Sequence, residues 1–404
     1  MSSKRHRIGV IGAGHRAKAF IGQLHAGSPR YELFGLCDID ADRLAASVED
    51  NKVHGVPTCT DVEAFLADPG LDAVIVTVPE FAHAQVTCAA MRAGKPVYLE
   101  KPIAHTLDDC RRMLEQQRRT GALVYVGFNL RASPAYNRMR ELVAQGTLGP
   151  IVQIEGTEQL HRLHLASFMR RFHRRSELNG GLLNAKCCHD LDIMMWIVGH
   201  EHRVARVSSF GGCSVFLPEK QPATHCRLCP QEVYASCPYA APEADDLRRG
   251  KAPVPRSNSP HLYPGDLCVY TSDKDIVDNQ TVILEWDHGV RGTFNLQGFR
   301  HIGLRTSRIW GQRGMLDYND ARDPQIELTD ALTGDVTTHT YALVKGGHGG
   351  TDLKMMDRFV DAIERGSAGD SGLEQGLAAT LIALKADESR LSGRTVAIDR
   401  AWYD

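Results

Sequence analysis

The sequence predicts an α/β protein of two domains: a doubly wound parallel sheet, then an α+β domain on an open, mainly antiparallel sheet. Three observations predict it. Over the first 125 residues short apolar runs alternate with helical patterns, the mark of parallel strands joined by crossover helices. Beyond residue 130, apolar runs such as 151–156, 281–286 and 290–296 lie in segments without intervening helices, as in antiparallel sheets. A chain of 404 residues also exceeds one ordinary core and suffices for two.

The elements follow in order. Residues 7–11 form a buried-strand run that stops at Gly12, and 15–26 read as a helix. A second strand, 31–37, ends at Asp38, and a helix covers 41–49. Residues 73–78 are β-branched and read as a strand; helix 82–93 stops at Gly94 and is followed by strand 96–99. Helix 107–119 leads to strand 122–127, and the chain ends in helical patterns at 352–365 and 373–392. The expected domains are 1–130 and 131–404, the latter carrying a cysteine- and proline-rich insertion near 213–268.

Charge and composition exclude several classes. A net charge of −2 gives no global field for nucleic acid. No apolar run approaches a membrane span, and the start lacks the apolar stretch of a signal peptide. A cytoplasmic protein with reduced thiols is expected, and the eleven cysteines, an odd number, do not read as a disulfide framework.

Gly12-Ala13-Gly14-His15-Arg16-Ala17 follows a strand and opens a helix. Gly12 allows the tight turn, Gly14 lets backbone approach a pyrophosphate, and Ala17 takes the third-glycine position at the helix–strand contact. The unpaired N–H groups of the helix start favour a phosphate anion. Asp38, closing the second strand, can accept hydrogen bonds from ribose hydroxyls and repels a 2′-phosphate, so the Rossmann-type domain is expected to take NAD over NADP. Strand 96–99 then runs into Glu100-Lys101-Pro102, beyond the carboxyl ends of the strands where ligands bind. A lysine there can hydrogen-bond a substrate hydroxyl and stabilise alkoxide character as hydride leaves.

Through IGVIGAGHRA, TVPEFAH (77–83), AGKPVYLEKPIA (93–104) and GFNLR (127–131) the chain resembles the Gfo/Idh/MocA oxidoreductases. The likeness continues in GGLLNAKCCHDLD (180–192), DKDIVDNQ (273–280), RIWGQRG (308–314) and GGHGGTDL (346–353). It implies an N-terminal Rossmann domain and a C-terminal sheet that walls the substrate cleft and commonly carries the oligomer interface, so a homo-oligomer, dimer or tetramer, is expected. It assigns Gly12, Gly14, His15, Arg16 and Asp38 to NAD, with Thr77, Pro79 and His83 lining the cofactor groove. Glu100, Lys101, Asn129 and Arg131 fall near the nicotinamide and substrate. His189 matches the histidine that accepts or donates the proton, and Asp192 an acid one helical turn on. One departure stands out. Many members carry an acid four residues before the histidine, where this chain has Ala185 followed by Lys186. Lys186 thereby becomes a candidate catalytic and substrate-binding residue.

Five arginines and three histidines crowd the stretch 161–175, Arg170, Arg171, Arg174 and Arg175 among them. Such a run is ordinarily a solvated face or a subunit contact. Arginine forks also suit carboxylate, sulfonate or phosphate, and together with Lys186, Arg131 and Arg171 they predict an anionic sugar as substrate. His348, in a glycine-rich stretch, is a further substrate candidate. Cys226-x2-Cys229-x7-Cys237 lies in the polar insertion at spacing that suits zinc. The candidate set is Cys213, Cys226, Cys229 and Cys237, with His225, His261 and Cys268 as other fourth ligands.

Three functions remain open on the sequence. The first is NAD-dependent oxidation of a ring carbinol in a sugar-like polyol, with Lys101 polarising the hydroxyl and His189 taking its proton. The second is a glycosidase that uses NAD catalytically through oxidation, elimination, water addition and re-reduction, acting on an anionic glycoside such as a sulfoquinovoside or uronide. The third is a non-catalytic NAD-binding regulator.

Overall fold

The computed structural model describes residues 5–242, 244–250, 265–270, 272–321, 323–342 and 350–403. They fall into two compact units. One runs to Ala132 and takes in a return segment ending at Thr380; the other holds the remaining described residues.

The first unit is built on six parallel strands: β1 (His6–Ile11), β2 (Tyr31–Cys37), β3 (Thr58–Cys59), β4 (Ala73–Val76), β5 (Val97–Leu99) and β6 (Val124–Val126). Their order, β3-β2-β1-β4-β5-β6, reverses direction between β1 and β4, and a dinucleotide binds at such a reversal. Helices cover both faces, so the central strands read as continuous apolar runs; all four residues of β4 are buried.

A single cut at residue 130 does not separate the two cores. The helix Asp352–Arg365 is amphipathic and buries Met355, Met356, Phe359, Val360 and Ala362 in the same core as Phe20, Tyr98 and Tyr125. The Phe359 ring lies 5.7 Å from that of Tyr98 and 6.3 Å from that of Tyr125. The helix therefore belongs to the first unit, although its residues come late in the chain.

The second unit holds nine strands: β7 (Ile151–His161), β8 (Val204–Gly212), β9 (Asn279–Trp286), β10 (Arg291–Arg300), β11 (Leu304–Gly311), β12 (Gly314–Asn319), β13 (Gln325–Asp330), β14 (Val336–Thr340) and β15 (Val396–Ala397). They are ordered β14-β13-β12-β11-β7-β10-β9-β8-β15. Among the described residues only the central β7–β10 pair is parallel; the pairs on either side are antiparallel. Along β7 burial alternates, with Ile154, Gly156, Glu158 and Leu160 on the covered face. The helix Gly181–Val198 packs in this unit and is buried along its whole length. A helix buried on every side has no solvent face, so each charge on it needs a partner inside the protein. Among the described residues no helix is long and apolar enough to cross a membrane.

Candidate functional site

In the first unit the glycine loop fits a dinucleotide. Gly12 has φ +95°, and a Cβ there would stand 2.7 Å from the backbone nitrogen of Val78, so only glycine is accommodated. Above Gly14 the space is open, with no atom within 4 Å of where a Cβ would lie. The helix begins at Lys18, three residues later than the periodicity predicts, because residues 14–17 form a turn closed by Ala17 N–H to Gly14 O at 3.2 Å. His15 is exposed on that turn.

Asp38 sits at the end of β2. One carboxylate oxygen accepts from Ala13 N–H at 2.8 Å and the other from Asp40 N–H at 3.0 Å. Each oxygen keeps acceptor capacity for a ribose hydroxyl. Arg43, which the sequence reading missed, stands 3.7 Å from Asp38 and 3.6 Å from Asp40. One cation shared by two acids leaves the position negative, and that favours NAD. Thr77 is buried and donates to Gly12 O at 2.7 Å, bracing the loop from β4. Pro79 is half-buried and precedes the helix Glu80–Arg92. His83 on that helix has both ring nitrogens at carbonyls, Pro102 O at 2.8 Å and Val78 O at 2.9 Å. It ties the loop after β4 to the Glu100-Lys101-Pro102 turn.

Arg16 and Glu100, both expected on the cofactor, are joined to each other. Arg16 Nε donates to Glu100 at 2.8 Å, while its two terminal nitrogens grip the Asp352 carboxylate at 2.9 and 3.0 Å. Asn129 is buried and donates to the same carboxylate at 2.8 Å. Asp352 is the hub that the sequence reading missed. Lys101, the next residue after Glu100, is half-buried at the end of the strand. Arg131 is 2% exposed, packs over the Phe128 ring and donates to the carbonyl of Asp370, whose carboxylate lies 3.6 Å away.

In the second unit His189 lies on the buried helix Gly181–Val198 at 1% exposure, between Lys186 one turn before it and Asp190 directly after. Lys186 Nζ is 3.3 Å from Glu158 of β7. Arg305 of β11 stands opposite Glu158 in register, pairs with it, and holds Asp190 through Nε at 2.8 Å. Burial pushes the Glu158 carboxyl up, but Arg305 and Lys186 outweigh it and hold it below its usual value. Burial raises Asp190 to about 6, only partly offset by Arg305 and reinforced by the neighbouring Glu158 charge. The two acids diverge because Glu158 touches two cations and Asp190 one. Cys187 and Cys188 are buried, and burial lifts the Cys187 thiol well above its ordinary value, so it packs as an apolar residue.

Part of the expected cation surplus is offset by acids. Lys186 is matched by Glu158, and Arg174 and Arg175 by Asp273. Buried Arg170 donates to the Tyr239 carbonyl at 2.5 Å. Arg171 is half-buried between the helix Arg162–Arg170 and the turn Phe172–Arg174, and its carbonyl accepts from Arg174. His348 and His261 lie outside the described residues. A recess of about 430 Å³ opens along Glu155, Thr157, Arg308 and Asp317, but strand alternation puts Glu155 and Thr157 on the sheet face opposite Glu158.

Cys213 does not join the cysteines of the insertion; its thiol donates to Ile276 O at 3.2 Å. Cys226, Cys229 and Cys237 instead share one small cavity with Cys268. All eleven cysteines are free thiols.

Residues 6–128 match the NAD-binding Rossmann-fold domain of the Gfo/Idh/MocA oxidoreductases, and residues 140–398 match the C-terminal α/β domain of the same family. YteT of Bacillus subtilis (strain 168), a protein named as an oxidoreductase, is 25% identical over 366 residues, covering 82% of this chain and 83% of its own. The 1,5-anhydro-D-fructose reductase of Ensifer adhaerens is 32% identical over 199 residues, 48% of this chain and 57% of that enzyme. The fold recurs in levoglucosan dehydrogenase solved with NADH, at a TM-score of 0.74, 18% identity and coverage of 98% and 100%. With both of its domains matched, the chain belongs to the Gfo/Idh/MocA oxidoreductase family.

Proposed function

We propose that the protein oxidises, reversibly, a ring carbinol of a sugar-like polyol with NAD. The cofactor loop carries this reading: open ground over Gly14 beside a carboxylate, Asp38, anchored to the same loop. Bound NAD supplies the acceptor for hydride. Lys101 donates a hydrogen bond to the substrate hydroxyl and steadies the developing alkoxide, and a ring nitrogen of His189 takes the proton. Lys186, neutralised by Glu158, keeps the surroundings of His189 uncharged and acts as a positioning residue instead of an anion anchor. The pairing of Lys186, Arg131, Arg174 and Arg175 favours an uncharged polyol over the anionic sugar that their count predicts. Phe210 of β8 and Ile283 of β9, large and exposed, support a homo-oligomer.

A sugar and cyclitol library, followed by both NADH absorbance and free-sugar release, tests the reading. NADH formation with a neutral polyol is expected, and Lys101→Ala and His189→Ala should each lower turnover about 10²–10⁴-fold while NAD still binds. Free sugar from a glycoside without net NADH would replace the dehydrogenase with the redox-neutral glycosidase. Near-wild-type turnover in a variant would remove that residue from the mechanism.

A further inference from the structure

Among the described residues the insertion between β8 and β9 packs as small separate groups. Phe216 lies against Tyr239 and Tyr270, and a second cluster comprises Cys226, Ala241 and Ala244, with Tyr234 packed against them. A cluster as small as the second adds little burial, and a metal can staple such a segment. All cysteines being free, no disulfide does so.

The chain brings four cysteines to the lining of one cavity. The turn Cys226–Leu228 begins the C-x2-C, and the short helix Gln231–Ser236 carries the chain on to Cys237. An antiparallel bridge between His225 and Leu267 delivers Cys268 from the far end of the insertion. It is closed by Cys226 N–H to Asp266 O at 2.8 Å and Cys268 N–H to Thr224 O at 2.9 Å. Cys226, Cys229, Cys237 and Cys268 thus line one cavity of about 20 Å³, large enough for a single atom-sized guest. The rest of the scaffold is already fixed. Asp266, fully buried, accepts from Arg227 N–H at 2.9 Å, and Arg248 donates to the carbonyls of Cys226 at 3.0 Å and Cys229 at 2.9 Å.

We propose that Cys226, Cys229, Cys237 and Cys268 bind one thiophilic divalent ion of the zinc class, which staples the insertion to the approach of β9. Four thiolates on a divalent ion leave two negative charges. Arg170, which lines the same cavity, and Arg248, on the knuckle carbonyls, stand where they neutralise them. Among the described residues only His202, Asp287 and His288 bring three ligand atoms within 4.8 Å of one another, so the sulfurs close inward on coordination, to the separation of about 3.8 Å that Zn–S bonds of about 2.3 Å impose. Each thiol gives up its proton as its sulfur–metal bond forms, so uptake releases protons and is stronger at higher pH. The site is remote in kind from the hydride chemistry, and its role is structural.

The test uses the full chain purified under reducing conditions without added metal. Elemental analysis should find about one equivalent of zinc, and exchange with cobalt(II) should give the intense visible bands of a tetrahedral thiolate site. Zinc should shield four thiols from titration. Cys213→Ser should keep the metal, whereas Cys268→Ser should lose it to a chelating resin. Should Cys268→Ser fail to fold, chelation of the wild type supplies the readout: proteolysis within the insertion should accelerate and be reversed by zinc. Less than about a tenth of an equivalent, both as purified and after incubation with zinc, overturns the proposal. So does metal loss in Cys213→Ser with retention in Cys268→Ser.

Discussion

In the first unit one guanidinium, Arg16, holds two carboxylates, Glu100 and Asp352; in the second, two cations, Lys186 and Arg305, hold two carboxylates, Glu158 and Asp190. Both networks adjoin in sequence a residue proposed for the chemistry, Lys101 in one case and His189 in the other. Arg16 keeps 27% of its side-chain surface exposed, whereas Lys186 keeps 9% and Glu158 4%. The first network reaches water through its cation. Where water is excluded, the charges must cancel, because an unpaired buried ion costs several kcal/mol. Counting cations along a sequence therefore says little about the field in a site; counting them in their pairs does.

The largest expected effect breaks one network at a time. Glu158→Gln leaves two buried cations with one partner fewer and should destabilise the second unit by about 3–5 kcal/mol. All four tryptophans, Trp196, Trp286, Trp310 and Trp402, lie in that unit, so their fluorescence in a denaturant titration reports it. Asp352→Asn should cost less, about 1–3 kcal/mol, since Arg16 retains Glu100 and some water; hydrogen exchange in the helix Lys18–Ala26 measures it. Equal losses would mean that exposure does not separate the two networks.

A pH series sharpens the second network. Asp190 has its carboxyl raised to about 6 by burial, against about 3.9 in an unfolded chain. The folded state then binds this proton more tightly, so the stability linked to it is fully present below about pH 4 and is lost as pH rises toward about 6. The difference between wild type and Asp190→Asn should follow that direction and amount to no more than roughly 3 kcal/mol. A flat difference across the window would mean that Arg305 holds Asp190 ionised throughout.

The smallest effect concerns substrate charge. With Lys186, Arg174 and Arg175 beside acids, the protein should prefer an anionic sugar over its neutral parent by less than about tenfold in kcat/KM, or ~1.4 kcal/mol, at low and moderate salt. A larger preference that shrinks with salt would identify an unmatched cation in the site.

Much of this was legible in advance. The glycine loop, Asp38 and the parallel strands are local features: turn chemistry, a strand end and apolar runs each lie within a few residues. Arg131 and the arginines of 170–175 were legible as residues but not as roles, because their partners, Asp370 and Asp273, come from about a hundred or more positions away. Glu158 had a readable signal. It occupies a covered position in the β7 alternation, between Gly156 and Leu160, and an acid placed there calls for a buried cation. Cys268 had a weaker one, since spacing alone does not tell it from Cys213.

What the sequence determined by itself is the strand–helix alternation of the first unit, the nucleotide loop and the place of Lys101 at a strand end, all of which follow from short-range pattern; the role proposed for His189 rests on the family resemblance. What only the tertiary structure decided is partnership. It returned Asp352 to the Arg16–Glu100 pair, set Arg305 opposite Glu158 across two strands, and put Cys268 instead of Cys213 beside the other three cysteines. The reason is physical: periodicity reports which face a residue takes, but charge balance and ligand sets depend on which distant segments packing brings to that face.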